Sequence, residues 1–237
     1  MSRTILVVAA HPDDEILGCG GTIARHARAG DEVHVVIMAE GVTSRSQERN
    51  VASQRHELNL LADMAHEANH LLGATSVTLH SLPDNRMDSL DRLDVIKLIE
   101  GEIDRVKPTV IYTHHAGDMN IDHRIVQDSV ATACRPLPGG CVQTLLFFEI
   151  PSSTEWRPAA AGMPFAPNWF VDIVDTLELK LKALNCYRDE MRPWPHPRSI
   201  AGIEHLARWR GASNGIEAAE AFMLGRHLSA AVPVRLP

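Results

Sequence analysis

The sequence predicts an α/β protein whose mostly parallel sheet is flanked by helices. Two apolar runs without polar alternation, at 4–9 and 109–113, are typical of strands that are buried on both faces of a parallel sheet. Strands and helices alternate at βαβ spacing up to residue 156, which indicates a Rossmann-like fold. We therefore expect one domain over 1–237, with its core at 1–156 and a C-terminal elaboration at 157–237.

Apolar runs, turn residues and helix-ending residues set the element boundaries. Gly30 and Asp31 precede the second strand, Gly73 ends the second helix, and Pro108 follows the third helix. Several prolines interrupt the alternation of strands and helices after residue 156. One more strand is expected there, at a sheet edge. The predicted strands lie at 4–9, 32–38, 77–79, 109–113, 144–150 and 169–173, and the predicted helices begin at Glu15 and then cover 51–72, 90–106, 124–134, 176–187, 200–209 and 216–225.

Composition argues against several classes of protein. The 237 residues carry a net charge of -7 and no basic run, so a nucleic-acid partner is not expected. No apolar stretch approaches the length of a membrane span, and the chain leads into its first strand without room for a signal peptide. The four cysteines are scattered without a CxxC pair, as is typical of reduced thiols. These observations predict a cytoplasmic protein.

Three side chains capable of metal binding or proton transfer follow the first strand on one tight turn: His11, Asp13 and Asp14. Pro12 ends the strand because proline donates no ladder hydrogen bond. The turn lies at the carboxyl end of a strand, where open α/β sheets bind their ligands. Capping of the first helix accounts for one of the two carboxylates, but not for a histidine and both acids together. We interpret this turn as the centre of the functional site.

A second polar cluster, residues 120–123, follows the fourth strand. Strands one and four are expected to be neighbours in a doubly wound sheet, which brings His123 close to His11 and Asp14. Two imidazoles and one carboxylate with open positions are typical of a catalytic zinc site, although the same set describes the iron(II) triad. One metal ion per chain is therefore expected. Asp13 is well placed to act as general base for a metal-bound water.

A competing metal motif, H-E-x-x-H, lies at residues 66–70. On a helix, His66 and His70 fall nearly opposite the apolar side and should meet solvent. We therefore do not predict a metal site there. The apolar side consists of Leu58, Leu61, Ala65, Ala68 and Leu72.

The motif A-H-P-D-D-E at residues 10–15 is followed at 122–123 by Asp-His, after a Thr-His-His strand end. This combination resembles the zinc-dependent sugar deacetylases of the PIG-L/LmbE-like family. The resemblance covers most of the region 4–156. It implies a Rossmann-like fold and the removal of N-acetyl groups from glucosamine-containing sugars.

The resemblance also implies roles for individual residues. Zinc would be held by His11, Asp14 and His123, with Asp13 as the base. The segment that contains Asp84 resembles the family's substrate stretch, where an aspartate holds sugar hydroxyls.

Two positions depart from the family pattern, and both concern the substrate. Many members carry a histidine three residues before the last metal ligand, where this chain has Asn120. An amide donates a hydrogen bond but delivers no proton. The acid role then falls to His115 or another histidine, or Asp13 acts first as base and then as acid. No family-type substrate arginine is assigned in the helix at 51–72, and Arg86 is the candidate to replace it.

The sequence thus predicts a zinc-dependent amidohydrolase that removes an N-acetyl or similar N-acyl group from an aminosugar-containing small molecule. Arg192 and Trp194, in a proline-rich loop, are candidates to close over the sugar, and a homo-oligomer is compatible with the resemblance. The open alternatives are another metal-dependent hydrolase and a non-catalytic sugar- or nucleotide-binding module. The expected site consists of catalytic Asp13 and His115, substrate-binding Asp84, Arg86 and Asn120, and the metal ligands His11, Asp14 and His123.

Overall fold

The first strand, β1 (Thr4–Ala9), lies at the centre of the sheet and supplies side chains to two hydrophobic cores. In the computed structural model, which describes residues 2–229, Ile5 and Val7 pack in one core, whereas Leu6 and Val8 pack in the other. Successive side chains of a strand point to opposite faces. The absence of polar alternation in this run therefore reflects burial on both faces.

The seven strands form one sheet in the order β3-β2-β1-β4-β5-β7-β6. Strands β1 to β5 pair in parallel, and β7 runs antiparallel between β5 and β6. The mostly parallel sheet flanked by helices confirms the predicted fold class. The strands are β1, β2 (Glu32–Ala39), β3 (Ser76–Leu82), β4 (Val110–His114), β5 (Thr144–Phe148), β6 (Trp169–Asp172) and β7 (Ala219–His227), and the helices are α1 (Asp14–Arg28), α2 (Arg55–Leu72), α3 (Arg92–Val106), α4 (Ile121–Ala133), α5 (Leu177–Leu184) and α6 (Ile200–Ala212).

The helices form two layers. Helices α1, α2 and α5 pack together on one face of the sheet, and α3 and α4 pack together on the other. The expected neighbours β1 and β4 are indeed paired, and β6 is the predicted edge strand. No helix within residues 2–229 has the length and apolar character needed to cross a bilayer.

The helix predicted at 216–225 is wrong, because the chain there forms strand β7. This segment is rich in alanine, glutamate, leucine and methionine, which favour helices in isolation. Between β5 and β6, however, its backbone pairs on both sides, and Ala221 and Phe222 enter the core. Tertiary pairing therefore overrides the local helix preference.

A buried ion pair connects β7 to α5, and its carboxylate also binds the middle of α1. Cys19 interrupts α1 with non-helical torsion angles (φ -150°, ψ 25°). The backbone N–H groups of Gly21 and Thr22 beyond this kink donate to the Glu220 carboxylate at 2.9 and 2.7 Å. Lys180 Nζ of α5 donates to the same carboxylate at 2.6 Å, and both charged side chains are 4% exposed. Glu220 thus caps the second half of α1 and fixes α5 against it.

We expect Glu220→Ala to lower the free energy of unfolding by about 3–5 kcal/mol, because it leaves the Lys180 ammonium buried without its partner. Urea denaturation measures the loss. The matched control is Glu204→Ala, which removes the surface pair with Arg208 on α6 and should cost less than about 1 kcal/mol. Equal losses in the two variants would contradict this role for Glu220.

Candidate active site

The turn after β1 gives Asp13 an unusual backbone and an unusual neighbour. Its φ of 106° is rare for a residue other than glycine. Asp13 stands at the N-cap position of α1, yet its side chain makes no capping hydrogen bond. Instead, Oδ2 lies 2.9 Å from Nη1 of Arg198, and the backbone N–H donates to Glu15 Oε2 at 3.0 Å. Capping therefore does not account for this carboxylate.

Three side-chain atoms lie close to one another: Nδ1 of His11, Oδ2 of Asp14 and Nε2 of His123. The two histidine nitrogens lie 3.2 and 3.1 Å from the carboxylate oxygen and 3.3 Å from each other. We call these residues the metal triangle. In tetrahedral zinc sites with bonds of about 2.0–2.1 Å, ligand atoms lie about 3.3–3.4 Å apart. The donor atoms and their spacing therefore fit a metal ion of this kind.

Each histidine of the metal triangle turns its other ring nitrogen toward a carboxylate. Nε2 of His11 lies 3.1 Å from Asp122 Oδ2, and Nδ1 of His123 lies 3.0 Å from Asp118 Oδ1. Carboxylates in this position fix the tautomer and the orientation of a metal-binding imidazole. The arrangement leaves Nδ1 of His11 and Nε2 of His123 free to bind a metal.

His114, to which the sequence assigned no role, is buried against His123 of the metal triangle. Its Nε2 accepts the backbone N–H of Ala10 at 2.8 Å, and its ring stacks on His123 with centroids 4.0 Å apart. Burial, followed by the neighbouring His123, holds the pKa of His114 well below its usual value. This neutral ring supports His123 and joins the end of β4 to the end of β1.

The adjacent carboxylates Asp13 and Asp14 have opposite electrostatic environments. Burial raises the pKa of Asp13 well above its usual value, and the opposing charge of Arg198 does not offset it. Burial acts in the same direction on Asp14, but the neighbouring His123 and His11 outweigh it and hold the pKa of Asp14 well below its usual value. Asp14 therefore stays ionised, as binding a metal would require, whereas Asp13 is suited to take up a proton.

Comparison with known proteins assigns the chain to a family. Residues 6–134, more than half of the chain, match the family model of the GlcNAc-PI de-N-acetylase, PIG-L. The chain belongs to the PIG-L family. This assignment confirms the resemblance inferred from the A-H-P-D-D-E motif.

Individual relatives extend this PIG-L assignment over most of the chain. An uncharacterized deacetylase of Escherichia coli, YaiS, is 29% identical over 194 residues, covering 78% of this chain and 91% of the relative. A probable N-acetyl-α-D-glucosaminyl L-malate deacetylase of Bacillus cereus is 26% identical over 192 residues, covering 80% and 84%. The crystal structure of GalB, the 4-carboxy-2-hydroxymuconate hydratase of Pseudomonas putida, has a TM-score of 0.76 at 22% identity, covering 97% and 98%. The last likeness shows the shared fold.

Asp84, expected to bind sugar hydroxyls, is buried and lies against His11. Its Oδ1 is 3.3 Å from His11 Nε2, on the ring edge that also faces Asp122. The two oxygens of Asp122 accept the backbone N–H groups of Asn85 and Met87 at 2.7 and 3.0 Å. His11, Asp84 and Asp122 form a second group that is able to hold a metal. Because backbone N–H groups already bind both oxygens of Asp122, we do not assign a second metal site to this group.

Asn120 and Arg86 lie at the rim of the site. Oδ1 of Asn120 accepts the backbone N–H of Asp122 at 2.8 Å and so caps α4. Its amide nitrogen donates to Asn85 Oδ1 at 2.8 Å. The Arg86 guanidinium donates to the Gln47 carbonyl at 3.0 Å. Neither side chain contacts the metal triangle within residues 2–229.

His115 points away from the metal triangle. Its Nε2 donates to the Met163 carbonyl at 2.9 Å, and its ring packs edge-on against Phe165. The side chain is buried, with 1% of the residue exposed. The structure therefore does not bring His115 together with the predicted ligands.

In the proline-rich loop, Arg192 and Trp194 were the predicted contacts, but Arg198 is the residue that reaches the site. Arg192 donates to the Asp189 carbonyl, and Trp194 is 62% exposed and packs against His205. Arg198 is the side chain that reaches Asp13, across 185 residues of sequence. A cation in a stiff loop was the only sequence signal for this contact.

The H-E-x-x-H segment lies on α2 in the predicted orientation. His66 and His70 are exposed, whereas Ala65 and Ala68 are buried against the core. The two histidines therefore lie on the solvent side of the helix, away from the metal triangle.

We expect His123→Ala to lose the bound metal, because it removes one corner of the metal triangle. His66→Ala should retain it. Mass spectrometry of the metal content of freshly purified protein distinguishes the two variants. Retention of the metal by His123→Ala, or its loss from His66→Ala, would overturn the assignment of the site.

Proposed function

We propose that this protein is a zinc-dependent N-deacetylase that hydrolyses the linear amide of an N-acetylated, or similarly N-acylated, aminosugar-containing small molecule. The observation that carries the proposal is the metal triangle at the carboxyl edge of the sheet, with Asp13, the sequence neighbour of Asp14, bonded to Arg198 instead of capping α1. Membership of the PIG-L family and the deacetylase relatives support it.

The chain's own residues supply a complete metal-binding set. His11, Asp14 and His123 would hold the ion, and Asp122 and Asp118 keep the two imidazoles oriented. When bound there, zinc supplies a Lewis acid that acidifies a water and polarises the amide carbonyl. The same ligands also suit iron(II), so metal analysis decides between the two ions.

Asp13 is the proposed general base. Within residues 2–229 only its Oδ2 is hydrogen-bonded, to Arg198, so Oδ1 remains available to take a proton from the attacking water. The water oxygen adds to the acyl carbon, and the carbon–nitrogen bond then breaks. Asp13 returns the proton to the departing amine, which leaves a free aminosugar and a carboxylic acid. Because Nε2 of His115 is engaged by the Met163 carbonyl, we assign the donor role to Asp13.

We propose that the sugar lies against the rim at Asn120 and the segment that contains Asp84 and Arg86. Asn120 has an amide nitrogen that is able to donate to a developing oxyanion once its bond to Asn85 is exchanged. Asp84 and Arg86 offer an acceptor and a donor for sugar hydroxyls.

A hydratase is the second candidate function, favoured by sequence similarity to the 4-oxalmesaconate hydratase of Pseudomonas putida, which is 28% identical over 219 residues. Such an enzyme adds water across a carbon–carbon double bond and releases no amine. The two reactions therefore differ in their products.

The first experiment combines metal analysis with amine release from a panel of N-acetylglucosamine conjugates. We expect about one zinc per chain and release of a primary amine from at least one conjugate. Metal without amine release, together with hydration of an unsaturated carboxylate, would favour the hydratase. Absence of metal after zinc addition would overturn the proposed deacetylase.

We expect Asp13→Asn to lower kcat by about 10²–10⁴-fold, because the amide accepts no proton, while the metal content stays unchanged. Amine release and mass spectrometry measure the two effects. Asp63→Asn on the exposed side of α2 is the control and should behave as the native protein. Loss of metal from Asp13→Asn would indicate a ligand or folding role instead.

A further inference from the structure

The turn after β5 is hydrogen-bonded both to Asp118, which faces His123, and to Arg198, which faces Asp13. It consists of Ser152, Ser153 and Thr154, each of which is at most 8% exposed. Buried hydroxyls need partners, and in this turn every hydroxyl is bonded to a charged group of the site. The hydroxyls of Ser153 and Thr154 bind Asp118, whereas that of Ser152 binds Arg198. The turn therefore has two sets of contacts, which we call its two arms.

One arm leads to the metal triangle through Asp118. Thr154 Oγ1 accepts the backbone N–H of Ile150 at 2.7 Å and donates to Asp118 Oδ2 at 2.6 Å. Ser153 Oγ donates to Asp118 Oδ1, the oxygen that lies 3.0 Å from His123 Nδ1. The two hydroxyls therefore hold both oxygens of the carboxylate that orients His123.

The other arm leads to the base through Arg198. Ser152 Oγ accepts Nε of Arg198 at 3.0 Å, and the guanidinium reaches Asp13 Oδ2 through Nη1 at 2.9 Å. Ser152 has a φ of 68°, and its N–H donates to Glu155 Oε1 at 2.7 Å. A left-handed conformation at a residue other than glycine requires such support from its surroundings. The left-handed conformation of Ser152 brings its hydroxyl to the side of the turn that faces Arg198.

We propose that residues 152–154 are a positioning turn that sets the two halves of the catalytic site separately. Ser153 and Thr154 set the metal ligand His123 through Asp118, whereas Ser152 sets the base Asp13 through Arg198. The first half depends only on metal binding. The second half rests on the proposed deacetylase function.

The first test measures zinc affinity by competition with a chelator of known affinity. Ser153→Ala and Thr154→Val should weaken zinc binding by about 10–100-fold, the usual effect of losing support behind a metal ligand. Thr154→Ser restores the hydroxyl and should bind zinc as the native protein does. Ser152→Gly and the exposed control Ser213→Ala should also leave the affinity unchanged.

The second test measures steady-state kinetics at saturating zinc. Ser152→Gly removes the hydroxyl while it tolerates the left-handed backbone, and should lower kcat by about 10–100-fold with little change in KM. Ser152→Ala should show the same defect. A defect in Ser152→Ala alone would show that the backbone conformation matters and the hydroxyl does not, which would overturn the second half of the proposal.

The two tests also distinguish the failure of this proposal from the failure of the proposed function. If the native protein releases no amine, the deacetylase function and the role of Ser152 both fail, but the order of zinc affinities still decides the role of Ser153 and Thr154. Equal weakening of zinc binding in all turn variants would indicate general disruption and would overturn the proposal. Unchanged affinity in Ser153→Ala and Thr154→Val would overturn its first half.

Discussion

The parallel pairing of β1 with β4 is the constraint on which the site depends. Their register aligns Val8 with Thr113, and the Thr113 hydroxyl donates to the Val8 carbonyl at 2.9 Å. His114 extends this alignment beyond the strand ends through its bond to the backbone of Ala10. The turn after β1 and the loop after β4 consequently face each other. A shift of one residue in this register would separate the two imidazoles of the metal triangle.

The site concentrates negative charge in a buried place, which has a cost in the free energy of folding. Five carboxylates surround two imidazoles and one guanidinium, and backbone N–H groups, hydroxyls or cations offset part of their charge. A divalent cation is often the largest local charge in a site of this type and would offset much of the remainder. A bound divalent cation would therefore also stabilise the fold. The carboxylates belong to Asp13, Asp14, Asp84, Asp118 and Asp122.

What the sequence predicted was governed by local pattern. The apolar run at 4–9 and the A-H-P-D-D-E motif placed the strand, the turn and the start of α1 within one residue of their observed positions. The contact between Arg198 and Asp13 joins loops 185 residues apart, and no local pattern encodes it. The error at β7 has the same origin, because its pairing partners lie far away in the sequence. His115 has the right residue type at the right strand end, but the loop that contains Met163 holds it elsewhere.

Asp13 and Asp14 are adjacent, yet one faces a guanidinium and the other two imidazoles. The positive φ of Asp13 makes this divergence possible, and Glu15 stabilises it by accepting the Asp13 N–H. The Glu15 carboxylate also accepts Tyr187 Oη at 2.6 Å and Asn69 Nδ2 at 2.8 Å. Burial raises the pKa of Glu15 to about 7. The hydrogen bonds from these donors act in the opposite direction, because they stabilise the charged carboxylate. The last residue of the motif therefore shapes the site through the backbone, since it holds the turn that directs Asp13 and Asp14 to different partners.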